Sequence, residues 1–284
     1  MAYQIDNASA ALSLPTPGAV GPNPNGFFTG GSPGLVAATI VDADWLNMVQ
    51  QEIINAITSA GETPSKTNDA QLAAALKGRY LGYQIFLASG TNTLPAGANF
   101  MDVFLLGGGG AGGGSPATTA SNYAAGAGGG AGAFTIARYI AAVTGAVTIG
   151  AGGVAASGAA GGNGGVTSFG TYTASHGNGG NAGGPAAGGF IVYAGGGGVQ
   201  GTTGTENAGG SPGAFGLSTG SYIAGGNGGA SVLFGGAGYG NATIAGSAAT
   251  GRGSGGGGSS AGPSTGALIG GAGGAGYALF IYRS

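Results

Sequence analysis

The sequence has no cysteine, one histidine, one tryptophan, and only 6 basic and 8 acidic residues among 284. Charged residues are 5% of the chain, against roughly 25% in an ordinary soluble domain. Each scarcity excludes something. Without cysteine there is no disulfide framework, no thiolate nucleophile and no zinc–cysteine site. Six scattered bases and a formal charge of -2 cannot supply a phosphate-binding surface, so nucleic acid is not an expected partner. Long hydrophobic runs are missing as well. A membrane span needs about 20 predominantly apolar residues, and the longest such run, Leu35–Val41, is far shorter, although mean hydropathy is +0.27. No membrane insertion is expected. The first residues, Met-Ala-Tyr-Gln-Ile-Asp, have neither the basic nor the apolar region of a signal peptide, so synthesis in a cytoplasm is expected.

Glycine is in excess, at 73 of 284 residues, against a usual share of roughly 7%. Simple disorder fits poorly, because 42% of the chain is hydrophobic and it holds 11 Tyr and 11 Phe. Only 11 of the glycines lie in residues 1–100. Beyond Asp102 the only charges are Arg138, Glu206, Arg252 and Arg283.

These shifts divide the chain into three. Residues 1–41 are punctuated by Pro15-Thr16-Pro17-Gly18, Pro22-Asn23-Pro24-Asn25-Gly26 and Ser32-Pro33-Gly34, which suits an extended attachment arm with turns. Residues 42–83 form a helical oligomerisation segment. Asp42 or Asp44 can cap a helix on which Leu46, Val49, Ile53 and Ile57 recur at spacings of three and four. Trp45, Met48 and Ile54 widen the stripe, and Gly61 and Pro64 stop it. Asn68 with Gln71 makes a capping-box pattern for a second short helix edged by Leu72 and Leu76 and ended by Gly78. The first helix carries more apolar surface than one short partner covers, which predicts an intersubunit bundle through Trp45, Leu46, Val49, Ile53 and Ile57.

Residues 84–284 alternate glycine tracts with short apolar runs. The runs Gln84–Ala88, Phe100–Leu106, Ala133–Ile140, Ala146–Ile149, Phe190–Tyr193, Val232–Phe234 and Tyr277–Tyr282 read as strands. Gly-Gly-Asn-Gly-Gly occurs at 161–165 before Phe169-Gly170 and again at 225–229 before Phe234-Gly235. Collagen's strict Gly-X-Y period is absent.

Ordering a glycine costs roughly 0.5–1 kcal/mol relative to alanine. So many glycines require something only glycine permits, either φ > 0 at many turns or main chains packed closer than a Cβ allows, and the second suits the tracts better. Extended helices with three residues per turn have no internal hydrogen bonds, and adjacent glycine chains can bond to one another. The fold class expected is therefore mainly β and irregular. Short N-terminal helices in a trimeric bundle precede a domain of short strands and polyglycine II-type helices.

Catalytic patterns fail on inspection. Gly107, Gly109 and Gly112 spell G-x-G-x-x-G, but no helix pattern follows and the next acid is Glu206. G-x-S-x-G occurs at Ser32, Ser211, Ser218, Ser260 and Ser264, as chance predicts where one residue in three is glycine. Ser218, His176 and Glu206 could be drawn as a triad, but nothing in the sequence requires them to meet. No catalytic residue, metal site or cofactor is expected, and the chain reads as a non-enzyme.

Thr39-Ile40-Val41-Asp42-Ala43-Asp44-Trp45-Leu46-Asn47-Met48-Val49-Gln50-Gln51-Glu52-Ile53-Ile54 resembles a segment common in tail fibre proteins of tailed bacteriophages. Gly26-Phe27-Phe28-Thr29-Gly30-Gly31-Ser32-Pro33-Gly34 looks like the lead-in of those fibres, and Asn68–Leu76 like a continuation. Val103-Phe104-Leu105-Leu106 with the following glycines, Ala146–Gly153, Thr167–Thr171 and Gly276–Tyr282 resemble the glycine-rich receptor-binding domain of phage fibres and adhesins. The resemblance implies a virion tail protein, usually a homotrimer. Its N-terminal region would join other tail or baseplate proteins, and its distal part would recognise a bacterial surface glycan or protein. The candidate receptor contacts are Tyr172, Tyr193, Phe215, Tyr222 and Tyr239, with His176 nearby. The alternatives are a purely structural virion component and an ice- or surface-binding protein.

Overall fold

Asp42 opens the first helix, α1 (Ala43–Ser59), because its backbone is extended (φ -89, ψ 169) and its carboxylate accepts the Trp45 N–H at 2.8 Å. Asp44 in the first turn accepts the Gly18 N–H at 2.6 Å. Past the helix end, Gly61 takes φ 82, and its N–H reaches the Thr58 carbonyl. The second helix, α2 (Gln71–Lys77), starts differently from the capping box expected. Asn68 accepts the Ala70 N–H, while the Gln71 amide turns into the preceding loop. There it donates to the Thr63 carbonyl and accepts the Ser65 N–H, both at 2.7 Å. Gln71 is only 3% exposed, so the loop is the partner that satisfies it.

In this computed structural model the described residues are 11, 13–19, 27–35, 37–77, 80–187, 191–197, 203–219, 222–238 and 242–284. Gly78 lies outside them. The chain divides into two units, residues 1–81 with 283–284, and residues 82–282. The first holds α1, α2 and the segments before them. Ile57 is completely buried within it, and Trp45 meets Phe28 edge to face at 5.0 Å.

The second unit is mostly β and irregular. A five-stranded sheet runs in the order Gly82–Phe86, Tyr277–Arg283, Phe100–Leu106, Phe134–Ala141, Glu206–Ala208. Gly90–Thr91, Ala146–Thr148, Thr167–Phe169 and Tyr172–Ala174 make a four-stranded sheet. Phe280 packs edge to face on Phe86 at 5.4 Å and on Phe169, from the four-stranded sheet, at 4.9 Å. Phe280, Tyr282 and Leu105 are fully buried there. Ile191–Tyr193, Gly216–Thr219 and Tyr222–Ala224 form one three-stranded sheet, and Ser260–Ala261, Asn122–Ala125 and Ala186–Ala187 another.

Between these sheets the core is main chain. In residues 107–114 the N–H groups leave in three directions. Gly107, Gly110 and Gly113 donate to Ala133, Gly130 and Ala127. Gly108, Ala111 and Gly114 donate to Gly165, Gly162 and Ala159, and Gly109 and Gly112 to Gly274 and Gly271. The carbonyls reach three further tracts. Gly108, Ala111 and Gly114 accept from Gly177, Gly180 and Gly183; Gly110 and Gly113 from Gly256 and Ser259; and Gly109 from Gly153. The repeat is three residues, that of the polyproline-type extended helix. The tract is thus surrounded by six others.

Residues 126–133 behave alike. Gly126, Gly129 and Gly132 donate to Ser259, Gly256 and Gly253; Ala127, Gly130 and Ala133 to Asn181, Asn178 and Ser175; and Gly128 and Ala131 to Ala214 and Ser211. Glycine is required because a Cβ on Gly109, Gly110 or Gly112 would collide with the carbonyls of Ser254, Asn178 or Gly257. Where a Cβ fits between tracts, alanine occurs: Ala111, Ala127, Ala131 and Ala133 are fully buried.

One strand expected from the sequence is absent, and the repeated glycine block has two different continuations. Val232–Phe234 is not a strand but a bend, closed by the Ser231 hydroxyl, which accepts the Phe234 N–H at 3.0 Å. The two Gly-Gly-Asn-Gly-Gly blocks are not equivalent. The first leads into the hairpin Thr167–Ala174, turned by Gly170 at φ 54, and the second into that bend.

Candidate functional site

The hydrogen-bond register fixes two ends for the lattice. Gly107 lies level with Ala133, Gly108 with Gly165 and Gly177, and Gly132 with Gly253. At this end the tracts join the five- and four-stranded sheets. At the other, Gly114 lies level with Ala159 and Gly183, and Ser115 with Leu268. This second end, called distal here, carries the two three-stranded sheets and the loops around 116–125, 184–193, 215–224, 242–244 and 260–268.

Beyond residue 82, charge is confined to the sheet end. Asp102, Arg138, Glu206 and Arg283 lie on strands of the five-stranded sheet. Arg252 donates to the carbonyls of Leu87 at 2.8 Å and Gly276 at 3.1 Å. Arg138 and Glu206 pair at 2.9 Å, both side chains half-exposed. Asp102 is 4% exposed and accepts the Tyr139 N–H at 2.9 Å, holding Tyr139 at φ 51 beside a bulge. Burial, and secondarily Tyr83, pushes the Tyr277 phenol above its ordinary range. Burial does the same for Tyr282, opposed by its contact with Asn92. None of the distal segments contains a charged residue.

The sheet Ile191–Tyr193, Gly216–Thr219, Tyr222–Ala224 has two unlike faces. Ser218 pairs with Ile191 and Ile223, and Tyr193 with Gly216. This face is turned inward: Ser218 is 1% and Ile223 7% exposed. On the other face Leu217 stands between Val192 and Ala224, and Thr219 faces Tyr222. Phe215, one residue before the central strand, continues the alternation. Phe215 is 56%, Tyr222 49% and Val192 46% exposed. The Thr219 hydroxyl accepts the Tyr222 N–H at 3.0 Å and closes the hairpin.

The candidate contact residues therefore separate. Phe215 and Tyr222 share the outward face at the distal end. Tyr193 is on the inward face, with its hydroxyl against Gly184. Tyr172 lies at the sheet end, in the hairpin with Thr167–Phe169. His176 follows it, with Nδ1 3.3 Å from the Gly177 carbonyl. Tyr239 lies outside the described residues. Val192, Leu217 and Thr219 were not among the candidates, although Phe215, Leu217 and Thr219 recur at the strand period of two. Tyr123, half-buried opposite Ala186, is a further distal aromatic.

The other patterns assemble no site. Ser218 is distal, while Glu206 and His176 are at the sheet end. Gly107, Gly109 and Gly112 lie inside the lattice, with neighbouring main chain where a dinucleotide would need space. Among the described residues no group of three or more His, Asp or Glu is placed to hold a metal, and no helix is long and apolar enough to cross a membrane.

A model of the glycine-rich domain matches residues 87–283. The chain belongs to this family of glycine-rich domains. No curated protein matches the chain. The matched glycine-rich domain spans the lattice, both three-stranded sheets and nearly all of the strands.

Of the oligomerisation candidates in the first unit, Trp45 is 41% and Leu46 48% exposed, beside Met48 at 53%. Val49 and Ile53 are half-buried. Ile57 is completely buried.

Proposed function

We propose that this protein is a non-enzymatic adhesin of a phage tail fibre, which attaches the virion to a bacterial surface polysaccharide or outer-membrane protein. The observation that carries the reading is the unequal distribution of charge along a rigid lattice. Every distal segment is uncharged and several carry aromatics, whereas the charges gather where the lattice meets the five- and four-stranded sheets. Rigid scaffolds with variable, side-chain-bearing loops at one end suit recognition. The fibre-like segment 39–54 supports a place in the virion. Exposed Trp45, Leu46 and Met48 on α1 support a homotrimer, whose repetition multiplies weak contacts into avidity. In this reading the N-terminal region joins the other tail or baseplate proteins.

The test is adsorption of the labelled full-length protein to a panel of bacterial strains as NaCl is raised from 50 to about 500 mM, a range that shortens the Debye length severalfold. Saturable binding that changes less than about twofold is expected. Binding to no strain, or binding that collapses with salt, refutes the reading.

A further inference from the structure

We infer that the outward face of the sheet Ile191–Tyr193, Gly216–Thr219, Tyr222–Ala224 is a binding site for an uncharged saccharide. The inference rests on the attachment reading and names its ligand class. Tyr222, Val192 and Leu217 stand on one side of a short sheet, and the alternation along the chain puts Phe215, the residue just before the central strand, on that side as well. Phe215, Tyr222 and Val192 are each exposed by 46% or more. Sugars present flat patches of C–H groups ringed by hydroxyls. Aromatic and aliphatic surface covers the first, and the phenol of Tyr222 and the hydroxyl of Thr219 can bond the second.

Charge selects the class. No acid or base occurs between Glu206 and Arg252, and none between Arg252 and Arg283. An anionic polymer laid on this face would lose hydration with no cation to replace it. A neutral pyranose or deoxy sugar loses far less and keeps its hydroxyls paired. The inward face of the same sheet shows that outward exposure is not a general property of these strands, since Ser218 and Ile223 are covered. The outward set lies where the lattice ends, on strands held by the second three-stranded sheet and by the tract at 126–132. The Gly226 N–H, for instance, bonds the Gly126 carbonyl at 3.0 Å.

The experiment uses the full-length protein and whole cells of a strain that it binds. One sample of cells is oxidised with periodate, which cleaves vicinal diols, and another is digested with proteinase K. The wild type is compared with Phe215→Ala, Tyr222→Ala and the double variant, each checked for an unchanged melting transition. The expected result is loss of binding after periodate, retention after proteinase K, and a tenfold or greater loss in the double variant. A neutral O-polysaccharide from the same strain should compete, and polysialic acid should not. Loss with proteinase K but not periodate overturns the saccharide and leaves attachment standing. Competition by polysialic acid overturns the charge argument. Undiminished binding by a folded double variant overturns the location. If no strain is bound at all, the attachment reading fails and this inference with it.

Discussion

Gly110→Ala tests the close approach of main chains on which the fold depends. A Cβ there would come within 2.8 Å of the Gly179 nitrogen and closer still to the Asn178 carbonyl oxygen. Restoring an ordinary C···O contact of about 3.3 Å separates the tract 107–114 from its neighbour at 177–183 by on the order of 1 Å. Those tracts are joined by Gly177, Gly180 and Gly183 donating to Gly108, Ala111 and Gly114, at 2.9, 2.8 and 3.1 Å. All of this lies in buried main chain, where a broken bond leaves both groups without water. With roughly 1–3 kcal/mol for each buried group left unpaired, the variant loses on the order of 4–6 kcal/mol. That is a large part of a typical stability of about 5–15 kcal/mol. For a unit of this size it lowers Tm by on the order of 10–20 °C.

The control is Gly266→Ala, where a Cβ meets nothing within 4 Å and the effect is expected within about 1 kcal/mol of zero. Thermal unfolding of both variants followed by circular dichroism decides the matter. A Gly110→Ala protein melting within 2 °C or so of the wild type, a shift of about 1 kcal/mol or less, would refute the lattice argument.

Three other outcomes are expected. Amide exchange should be slowest in 107–114, 126–133 and 253–259, whose N–H groups bond neighbouring tracts; exchange there at free-peptide rates would contradict the fold. Tyr282 is buried and titrates above its usual range, so the fold favours the neutral phenol. Stability should hold below about pH 10 and fall as pH rises through it. Tyr282→Phe should flatten part of that slope while losing about 1 kcal/mol at neutral pH with its bond to Gln84, read by urea unfolding across pH. Asp102→Ala should cost about 1–3 kcal/mol by stranding the Tyr139 N–H, and Asp102→Asn, which keeps an acceptor, distinctly less in the same assay.

Much of the architecture follows from composition and local pattern. The excess of glycine after residue 100 requires a structure without side chains between its main chains. The apolar spacing from Leu46 to Ile57 produces α1, and Asp42 caps it as its side chain allows. Phe100–Leu106 is a strand with the same bounds in sequence and structure. These features depend on neighbours a few residues away.

Strands such as Gly216–Thr219 and Glu206–Ala208 escape such reading, because their partners are supplied by distant residues and their own apolar content is slight. Gln71 shows the same limit on a smaller scale. Its spacing from Asn68 fits a capping box, yet a loop carbonyl and N–H nearby make the better pair. The separation of Tyr172 and His176 from Phe215 and Tyr222 has no sequence signature either. It depends on which tract runs up and which runs down, and that direction is set by hydrogen bonds between tract residues as much as 165 positions apart.

 The N–H of Gly109 donating to the Gly274 carbonyl at 2.9 Å is one such bond. Glycine content dictates that main chains must touch, because that preference is local to each residue. Which chains touch, and therefore which side chains emerge together at the uncharged end, is decided only when the whole lattice closes.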